Sequence, residues 1–568
     1  MNKLANHPLK KSIPFSIIGF VTFLFILPQW LSKSMIIGSD AMFHFNRFYE
    51  TMMQIKQGNF SYYLSLYGFQ QSGRIVNALY GPFMAYFQGL LALMGGSWFH
   101  YQLLSNSVLY FIAGSMMFLF LKKAIQSNRL ALWGALIYMS TYSIQYWTIR
   151  QGFSSWGAAF FPLCLLPMLT LVNQKKIPVI PLSLAVALMF QIHLFSAGLL
   201  VACYLPIIFY LFIHSSEKGR FFWNGLCSLF LFICLTLNIW LSLFSIYGQN
   251  SIATVYTNTK MSESTINQHS FYWLISPIII SVILVLQFVL SLKYWKKMNL
   301  LSKFAFLLLL VFLLLSSSLV PWDDLIRKKF WLAELTQFPF RFFIPATNLG
   351  IYLFAYSLKE SFIQMKNLKK IGNLIIILSV LQTVLLIHST SLRWHQTNQS
   401  IARRGATFIK KQEIIKTKSS FFSTKMDQSL RAVQKPTPDY LPIYQKKNRN
   451  MYHAYRDTII HASNRFTKKV VGNQLVVTWQ STSTKKVSVP IIKYAATQLT
   501  LNGKQLKSTD FTLGAIGTPI IKQKKGTNQL MIRYQSPSYF TLCLLSTIGS
   551  WVCLLIVFIV CNHSKIRK

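Results

Sequence analysis

The chain of 568 residues has only 13 acidic residues against 57 lysines and arginines, and none of the acids lies inside a long apolar run. Ion-coupled pumps carry acids within their membrane spans, so this scarcity argues against a pump. The sequence has no glycine-rich phosphate loop, no zinc-type spacing and no Ser-His-Asp order. Its seven cysteines lie in or beside apolar runs, and their spacing indicates neither a metal site nor a disulfide framework.

The sequence is rich in long runs of apolar residues. Hydrophobic residues make up 53% of the chain and charged residues 12%, and the mean hydropathy is +0.40. Long apolar runs joined by short basic loops predict a polytopic α-helical membrane protein. About twelve spans are expected, at 13–31, 101–121, 130–147, 155–173, 177–193, 195–213, 221–245, 271–293, 300–320, 343–358, 371–389 and 539–561.

The basic connections predict the orientation of these spans. With twelve spans, five clusters of lysine and arginine fall on the same side as both termini: 122–129, 173–176, 217–220, 293–297 and 366–370. Because such loops stay in the cytoplasm, we expect a multi-pass membrane protein with cytoplasmic N- and C-termini. The predicted external segment has no cysteine, which favours a bacterial cell membrane over a eukaryotic secretory compartment. Residues 82–97 are apolar enough for a thirteenth span, but that count would place the basic loops outside. We expect a surface helix there, with a span as the alternative.

This topology divides the chain into three parts. Residues 1–390 form the predicted transmembrane domain, with a long first external loop at 34–100. Residues 391–538 form an extracytoplasmic domain, and 539–568 supply the last span and a basic tail. The external domain has 26 lysines and arginines against 5 acids. That charge predicts an anionic envelope polymer or a lipid headgroup as partner, and no nucleic acid.

The external domain becomes β-rich from about residue 466. Alternating or β-branched segments predict strands, and Asn502-Gly503 predicts a type I′ hairpin turn, which requires positive φ at both residues. A small β-sandwich-like fold is therefore expected before the last span. The segments are 475–479, 487–492, the hairpin 499–506, and 530–534 after a turn at 525–528.

The first external loop offers an acid, a histidine and an arginine in regular spacing. Asp40, His44 and Arg47 stand at i, i+4 and i+7, so they share one face of a helix that begins near Asp40. An acid and a base beside a cation can deprotonate a hydroxyl and hold a phosphate. We predict Asp40 and His44 as catalytic residues and Arg47 as a phosphate ligand. The alternative is that Asp40 only caps the helix while His44 and Arg47 face headgroups.

Five further residues on the predicted outer face are candidates for binding the substrate or its phosphate: Arg74, Arg150, His193, Gln337 and Arg341. An arginine at the start of a span can pair bidentately with a lipid phosphate. The alternatives are that Arg341 is an interfacial anchor and that His193 is a satisfied residue at a helix end.

For a metal ion, the sequence offers one candidate pair of ligands. The pair Asp323-Asp324 could bind a divalent cation such as Mg²⁺ or Mn²⁺, but a lone pair of aspartates is a weak signal. No other cofactor is indicated.

Several short motifs, in their order and spacing, resemble one family. They are Gly38-Ser39-Asp40 with Phe43, His44 and Arg47, then Gln337-Phe-Pro-Phe-Arg341, Asp439-Tyr-Leu-Pro442, and a tail pattern between Val489 and Pro537. Over nearly the whole chain they resemble the YfhO-like membrane proteins and the related 6-pyruvoyl-tetrahydropterin-synthase-related membrane proteins. The family usually has tryptophan where this chain has Phe340.

This family is similar to the GT-C class of membrane glycosyltransferases. The resemblance implies transfer of a sugar from a polyprenyl-phosphate carrier to an envelope acceptor, such as a teichoic acid, a wall polysaccharide or a glycolipid. The class places a functional acid in the first external loop, where this chain has Asp40. Many members have a second acid in the first or second external loop. Here 148–154 has none and Glu50 lies off the Asp40 face, which leaves metal dependence open.

The hypothesis is therefore a glycosyltransferase in which Asp40 is the general base and His44 assists. Arg47 and Arg341 would hold the leaving phosphate. The alternative is a non-catalytic flippase for lipid-linked sugars, or a scaffold for envelope assembly. Nearly uncharged spans disfavour a flippase, because a path for a sugar headgroup should be polar.

Overall fold

The structure, a computed structural model, describes residues 8–254, 256–267, 273–364, 366–396, 401, 407, 414–445 and 450–566. The protein is mostly helical. The α-helices are α1 Pro8–Leu31, α2 Ala41–Gln57, α3 Val76–Leu79, α4 Pro82–Gly95, α5 Trp98–Ile125, α6 Asn128–Ser140, α7 Tyr142–Arg150, α8 Ser154–Cys164, α9 Leu166–Gln174, α10 Val179–Ile192, α11 Leu194–Ile213, α12 Lys218–Gln249, α13 Ile279–Lys293, α14 Leu300–Ser316, α15 Trp322–Arg327, α16 Trp331–Thr336, α17 Phe343–Lys359, α18 Leu368–Gln396, α19 Ile414–Ser420, α20 Asp427–Ala432, α21 Met451–Tyr455 and α22 Phe540–Ile566.

Among the described residues, seven helical segments are long and apolar enough to cross a membrane: Ser12–Leu31, Trp98–Ile125, Ser154–Gln174, Leu194–Ile213, Lys218–Gln249, Leu368–Gln396 and Phe540–Val560. Four shorter apolar helices accompany them: α4, α10, α13 and α14. These helices indicate a multi-pass membrane protein, in agreement with the sequence. The count of twelve spans and their orientation stay predictions, and the N-terminal residues 1–7 lie outside the described residues.

The segment predicted as one span at 130–147 consists of two helices. α6 ends at Ser140 and α7 begins at Tyr142, because Thr141 between them has an extended backbone with ψ of 152°. The Thr141 hydroxyl donates to the carbonyl of Tyr138 at 2.7 Å, which satisfies one acceptor at the end of α6. Hydropathy averaged over a window does not detect such a break.

The chain forms two compact units, and each is discontinuous in sequence. The first unit consists of Met1–Ser39, Gln102–Phe232 and Thr257–Thr397. Within it, α17 packs against α6, α13 and α14, and α1 packs against α18. The second unit consists of Asp40–Tyr101, Ile233–Tyr256 and Asn398–Lys568.

The second unit contains an antiparallel β region before the last apolar helix. Its sheets have the strand orders β1-β2-β8-β4-β5 and β3-β7-β6. The strands are β1 Thr467–Val471, β2 Gln474–Ser481, β3 Lys486–Ser488, β4 Thr497–Leu501, β5 Lys504–Gln505, β6 Phe511–Leu513, β7 Pro519–Lys522 and β8 Gly526–Tyr534.

Most of the predicted β pattern is confirmed. Asn502 and Gly503 join β4 to β5 with φ of 50° and 84°, as a type I′ turn requires. The strand predicted at 487–492 is shorter, since β3 ends at Ser488. Pro490 has no N–H to donate to a neighbouring strand, which explains the early end.

Two buried clusters make residues 62–79 part of the core of the second unit. Leu64 and Leu66 pack in one cluster with β-strand residues such as Leu475. Ile75 and Leu79 belong to the other cluster. Burial of each large apolar side chain contributes about 1.5–3 kcal/mol. Residues 62–79 are therefore a packed part of the second unit, to which α2 also belongs.

Candidate functional site

Asp40 lies immediately before α2 and is half-buried. Its backbone carbonyl accepts the amide of His44 at 3.0 Å, which opens the helix. Its side chain makes no capping hydrogen bond. The alternative interpretation, in which the Asp40 carboxylate caps α2, therefore does not explain the presence of an acid at this position.

His44 and Arg47 contact one another on α2. Arg47 Nη1 donates to His44 Nδ1 at 3.3 Å, and the two side chains are 0% and 2% exposed, respectively. A guanidinium has no acceptor atom, so Nδ1 must be the acceptor in this bond. In the neutral ring, the proton of His44 is then on Nε2. His44 is thus arranged as a hydrogen-bond donor through Nε2.

Arg47 is held by three groups besides His44. Its Nε donates to Asn77 Oδ1 at 3.1 Å, Nη2 donates to the carbonyl of Tyr80, and the Tyr80 ring centroid lies 4.2 Å from the guanidinium carbon. Burial lowers the pKa of Arg47 to about 10. The side chain is therefore still charged at neutral pH and faces the ring of Tyr80 as a fixed cation.

Arg74, in the second unit, is fully buried. It donates to Thr437 Oγ1 at 2.7 Å and to the carbonyl of Asp439. The rings of Phe69 and Tyr455 lie 4.7 and 5.3 Å from the guanidinium carbon. In the part of the chain that the structure describes, its Nε has no hydrogen-bond partner. Arg74 therefore joins the first loop to residues 437–439.

A left-handed turn precedes Arg74. Phe69, Gln70 and Gln71 have φ of 52°, 57° and 49°, a conformation that costs about 1–2 kcal/mol per residue for side chains other than glycine. The amide of Phe69 donates to Asn46 Oδ1 at 2.7 Å, and Lys468 Nζ donates to the carbonyl of Gln70 at 2.8 Å. Such strain persists only where the surroundings hold it, as they do here.

Glu50, the acid that lies off the Asp40 face, holds the same segment. Its carboxylate is 1% exposed and accepts the amides of Leu66, Tyr67 and Gly68 at 2.6–2.8 Å, together with Gln54 Nε2 at 2.7 Å. Burial raises the pKa of Glu50, and the donated hydrogen bonds oppose that shift. Glu50 therefore positions residues 66–68 rather than facing a substrate.

Asp439 is a residue to which sequence reasoning assigned no role. Its side chain is half-buried. The pKa of Tyr452 is raised to about 12, first by burial and then by the nearby Asp439, Tyr256 and Asp40. Asp40 and Asp439 thus lie close enough to the same phenol to act on it. The signal available in the sequence was the motif Asp439-Tyr-Leu-Pro442.

In the first unit, Gln337 and Arg341 lie together. Arg341 Nη1 donates to Gln337 Oε1 at 3.0 Å and to the carbonyl of Thr336 at 3.2 Å. The rings of Phe338 and Phe195 lie 5.1 and 5.4 Å from the guanidinium carbon. Its Nε is buried without a hydrogen-bond partner among the described residues.

His193, also in the first unit, caps a helix. Its Nδ1 accepts the amide of Ser196 at 3.3 Å and lies 2.8 Å from the hydroxyl of the same residue, at the start of α11. The geometry favours the satisfied helix-end residue over a ligand-binding role, so His193 has a structural explanation that needs no ligand.

Arg150 ends α7, and its backbone lies against Gly38. A Cβ at Gly38 would come within 2.2 Å of the Arg150 carbonyl carbon, so only glycine fits there. The amide of Gly38 donates to Gln151 Oε1. These contacts fix the backbone at Arg150 and leave the role of its side chain a prediction.

Asp323 and Asp324 each have a protein partner. Asp323 accepts the amide and the hydroxyl of Ser262 at 2.9 and 2.5 Å, and Asp324 pairs with Arg327. Across the described residues, no three His, Cys, Asp or Glu side chains lie together as a metal site would require. The geometry therefore gives the aspartate pair a structural explanation.

The comparisons with protein-family models and with curated proteins find no match. The structure brings His44 and Arg47 into contact in the second unit, and Gln337 and Arg341 into contact in the first. Arg74, in the same unit as Arg47, has different hydrogen-bond partners.

Proposed function

We propose that this chain is a membrane glycosyltransferase that moves a sugar from a polyprenyl-phosphate carrier to a cell-envelope acceptor. Its topology would be GT-C-like, with about twelve spans, both termini in the cytoplasm and the reaction at the outer face. The acceptor would be a teichoic acid, a wall polysaccharide or a glycolipid.

The observation that carries the proposal is the arrangement at the start of α2. A carboxylate that does not cap the helix is followed by a histidine arranged as an Nε2 donor and by a buried, charged arginine. Transfer from a phosphate carrier needs a base for the acceptor and positive charge for the leaving group. Asp40 and Arg47 supply these two properties.

In the proposed reaction, the acceptor hydroxyl oxygen attacks the anomeric carbon of the carrier-bound sugar. The bond between that carbon and the phosphate oxygen breaks, and its electron pair leaves with the carrier phosphate. The hydroxyl proton passes to the carboxylate of Asp40. His44 donates a hydrogen bond through Nε2 and orients a reacting oxygen, while Arg47 fixes that tautomer and adds positive potential.

The role proposed for Arg341 is to bind a phosphate. Its Nη1 is held by Gln337 Oε1 and the carbonyl of Thr336, and its Nε has no partner among the described residues. An arginine with an unused donor can add a hydrogen bond to a phosphate oxygen without losing its present contacts.

The test is the sugar content of envelope polymers in a deletion strain that carries the wild type or Asp40→Asn. We expect the wild type to restore a sugar that the deletion removes. A general base contributes about 10²–10⁴-fold to rate, so Asp40→Asn should restore little of it. Asp510→Asn, which changes an exposed acid in the β region, is the matched control and should behave as the wild type.

Each outcome has a different consequence. Full restoration by Asp40→Asn would remove Asp40 from the reaction. If the deletion changes no sugar while the wild-type gene is expressed, the proposal fails and the flippase and scaffold alternatives move ahead. Expression and thermal unfolding of both variants show whether a loss reflects folding.

A further inference from the structure

The carboxylate of Asp439 is not used by the fold. In the described part of the chain it accepts no hydrogen bond and forms no ion pair, although the residue is half-buried. Eight other acids of the described chain, by contrast, pair with arginine, lysine or histidine or accept backbone amides: Glu50, Glu217, Glu263, Asp323, Asp324, Asp427, Asp457 and Asp510. A partly desolvated carboxylate without a protein donor keeps acceptor sites that water fills and that the donors of a ligand can take over.

The backbone that carries Asp439 is held on both sides. Arg74 donates to the Asp439 carbonyl, the Tyr494 hydroxyl donates to the Tyr440 carbonyl at 3.0 Å, and the Ala253 amide donates to the Leu441 carbonyl at 2.7 Å. Leu441 is fully buried. The backbone from which the Asp439 side chain extends is therefore fixed before any ligand arrives, which favours a binding role.

Aromatic contacts connect this segment to the start of α2. The Tyr440 ring lies 6.5 Å from the Tyr80 ring, and the Tyr80 ring lies 6.2 Å from the ring of His44. Tyr80 also covers the guanidinium of Arg47. Asp439 thus stands in the same unit and beside the same cluster as Asp40, His44 and Arg47.

We propose that Asp439 is the second carboxylate of the glycosyl-transfer site, where it accepts hydrogen bonds from hydroxyls of the acceptor and so orients the attacking oxygen toward Asp40. This rests on the proposed function. The tail segment would then supply the acid that the second external loop lacks. The ligand class is a polyhydroxylated acceptor, because an open carboxylate pairs readily with sugar hydroxyls and repels a phosphate.

The test is acceptor kinetics of Asp439→Asn in detergent. The acceptor is envelope polymer purified from the deletion strain, and the donor is the radiolabelled polyprenyl-phosphate sugar that supports wild-type transfer. Loss of a hydrogen bond to a charged group should raise the KM for the acceptor by about 10-fold or more. The KM for the donor should stay within about threefold of the wild type, since the donor phosphate has other partners. Asp510→Asn is the control for a change of charge.

The outcomes separate this inference from the proposed function. A wild type that transfers no sugar overturns both. An active wild type with an unchanged acceptor KM in Asp439→Asn overturns this inference alone. Recovery of the variant by raised Mg²⁺ or Mn²⁺ would make Asp439 a cation ligand and also overturns it. Asp439→Glu keeps the charge, so it should recover part of the acceptor binding if the variant protein is folded.

Discussion

Replacement of Glu50 by alanine should destabilise the second unit, because this carboxylate accepts four hydrogen bonds where water does not reach. Each buried donor left without an acceptor costs about 1–3 kcal/mol. The three amides of residues 66–68 alone therefore give roughly 3–9 kcal/mol, and water that enters the space left by the side chain reduces this cost. The left-handed turn at 69–71 stores strain of about 3–6 kcal/mol, so loss of the Glu50 contacts should also release that turn.

Thermal unfolding of the purified protein in detergent, followed by tryptophan fluorescence, measures this effect. We expect Glu50→Ala to lower the transition temperature by roughly 5–10 °C. Glu263→Ala is the matched control, since Glu263 is exposed and pairs with the exposed Lys260. Its effect should be about 1–2 °C or less. A Glu50→Ala protein that unfolds within 2 °C of the control would refute the assignment of the turn to this carboxylate.

Three further predictions follow from the described contacts. Burial lowers the pKa of Lys468 from 10.5 to about 7. Between these two pH values the unfolded chain binds a proton that the folded chain does not, so the free energy of unfolding should rise with pH. Lys468→Met should abolish this rise when unfolding is measured as a function of pH. Arg47→Lys should reduce the proposed sugar transfer by roughly tenfold or more, because an ammonium group cannot replace the planar guanidinium that donates to both Asn77 and His44. Transfer rates measured over a range of donor concentrations test this. Gly38→Ala should impair folding, since its Cβ would meet the Arg150 backbone at 2.2 Å. The control Gly198→Ala has open space around it and should fold normally, so the expression level and unfolding temperature of the two variants should differ.

The sequence predicted the local structure that depends on local pattern. Apolar runs such as 195–213 became helices like α11, and Asn502-Gly503 formed the expected turn. Thr141 shows the limit, because its extended backbone breaks a run that hydropathy treats as continuous. His193 shows another limit: its place at a helix end is compatible with ligand binding and with capping, and the Ser196 contacts in the structure favour the cap.

The candidate site was harder to predict from the sequence, because its contacts join segments that are far apart in the chain. Glu50 finds its partners 16 to 18 residues away, in amides that carry no side-chain signal. Arg74 and Asp439 are 365 positions apart and meet through a backbone carbonyl. Spacing along one helix gave the contact of His44 with Arg47, whereas no periodicity predicts that residues 437–441 pack beside them.

Arg74 and Arg341 belong to different units, yet each is held in the same way. Each donates to uncharged oxygens, lies near two aromatic rings and keeps a buried Nε without a partner among the described residues. Carbonyl dipoles and ring faces stabilise a cation without cancelling its charge, whereas a carboxylate partner would neutralise most of its field. In a chain with 13 acids against 57 lysines and arginines, this is also the arrangement that composition allows. The scarcity of acids therefore bears on the proposed function: Arg74 and Arg341 keep a positive potential for an anionic group, which the proposed transfer from a phosphate carrier would require.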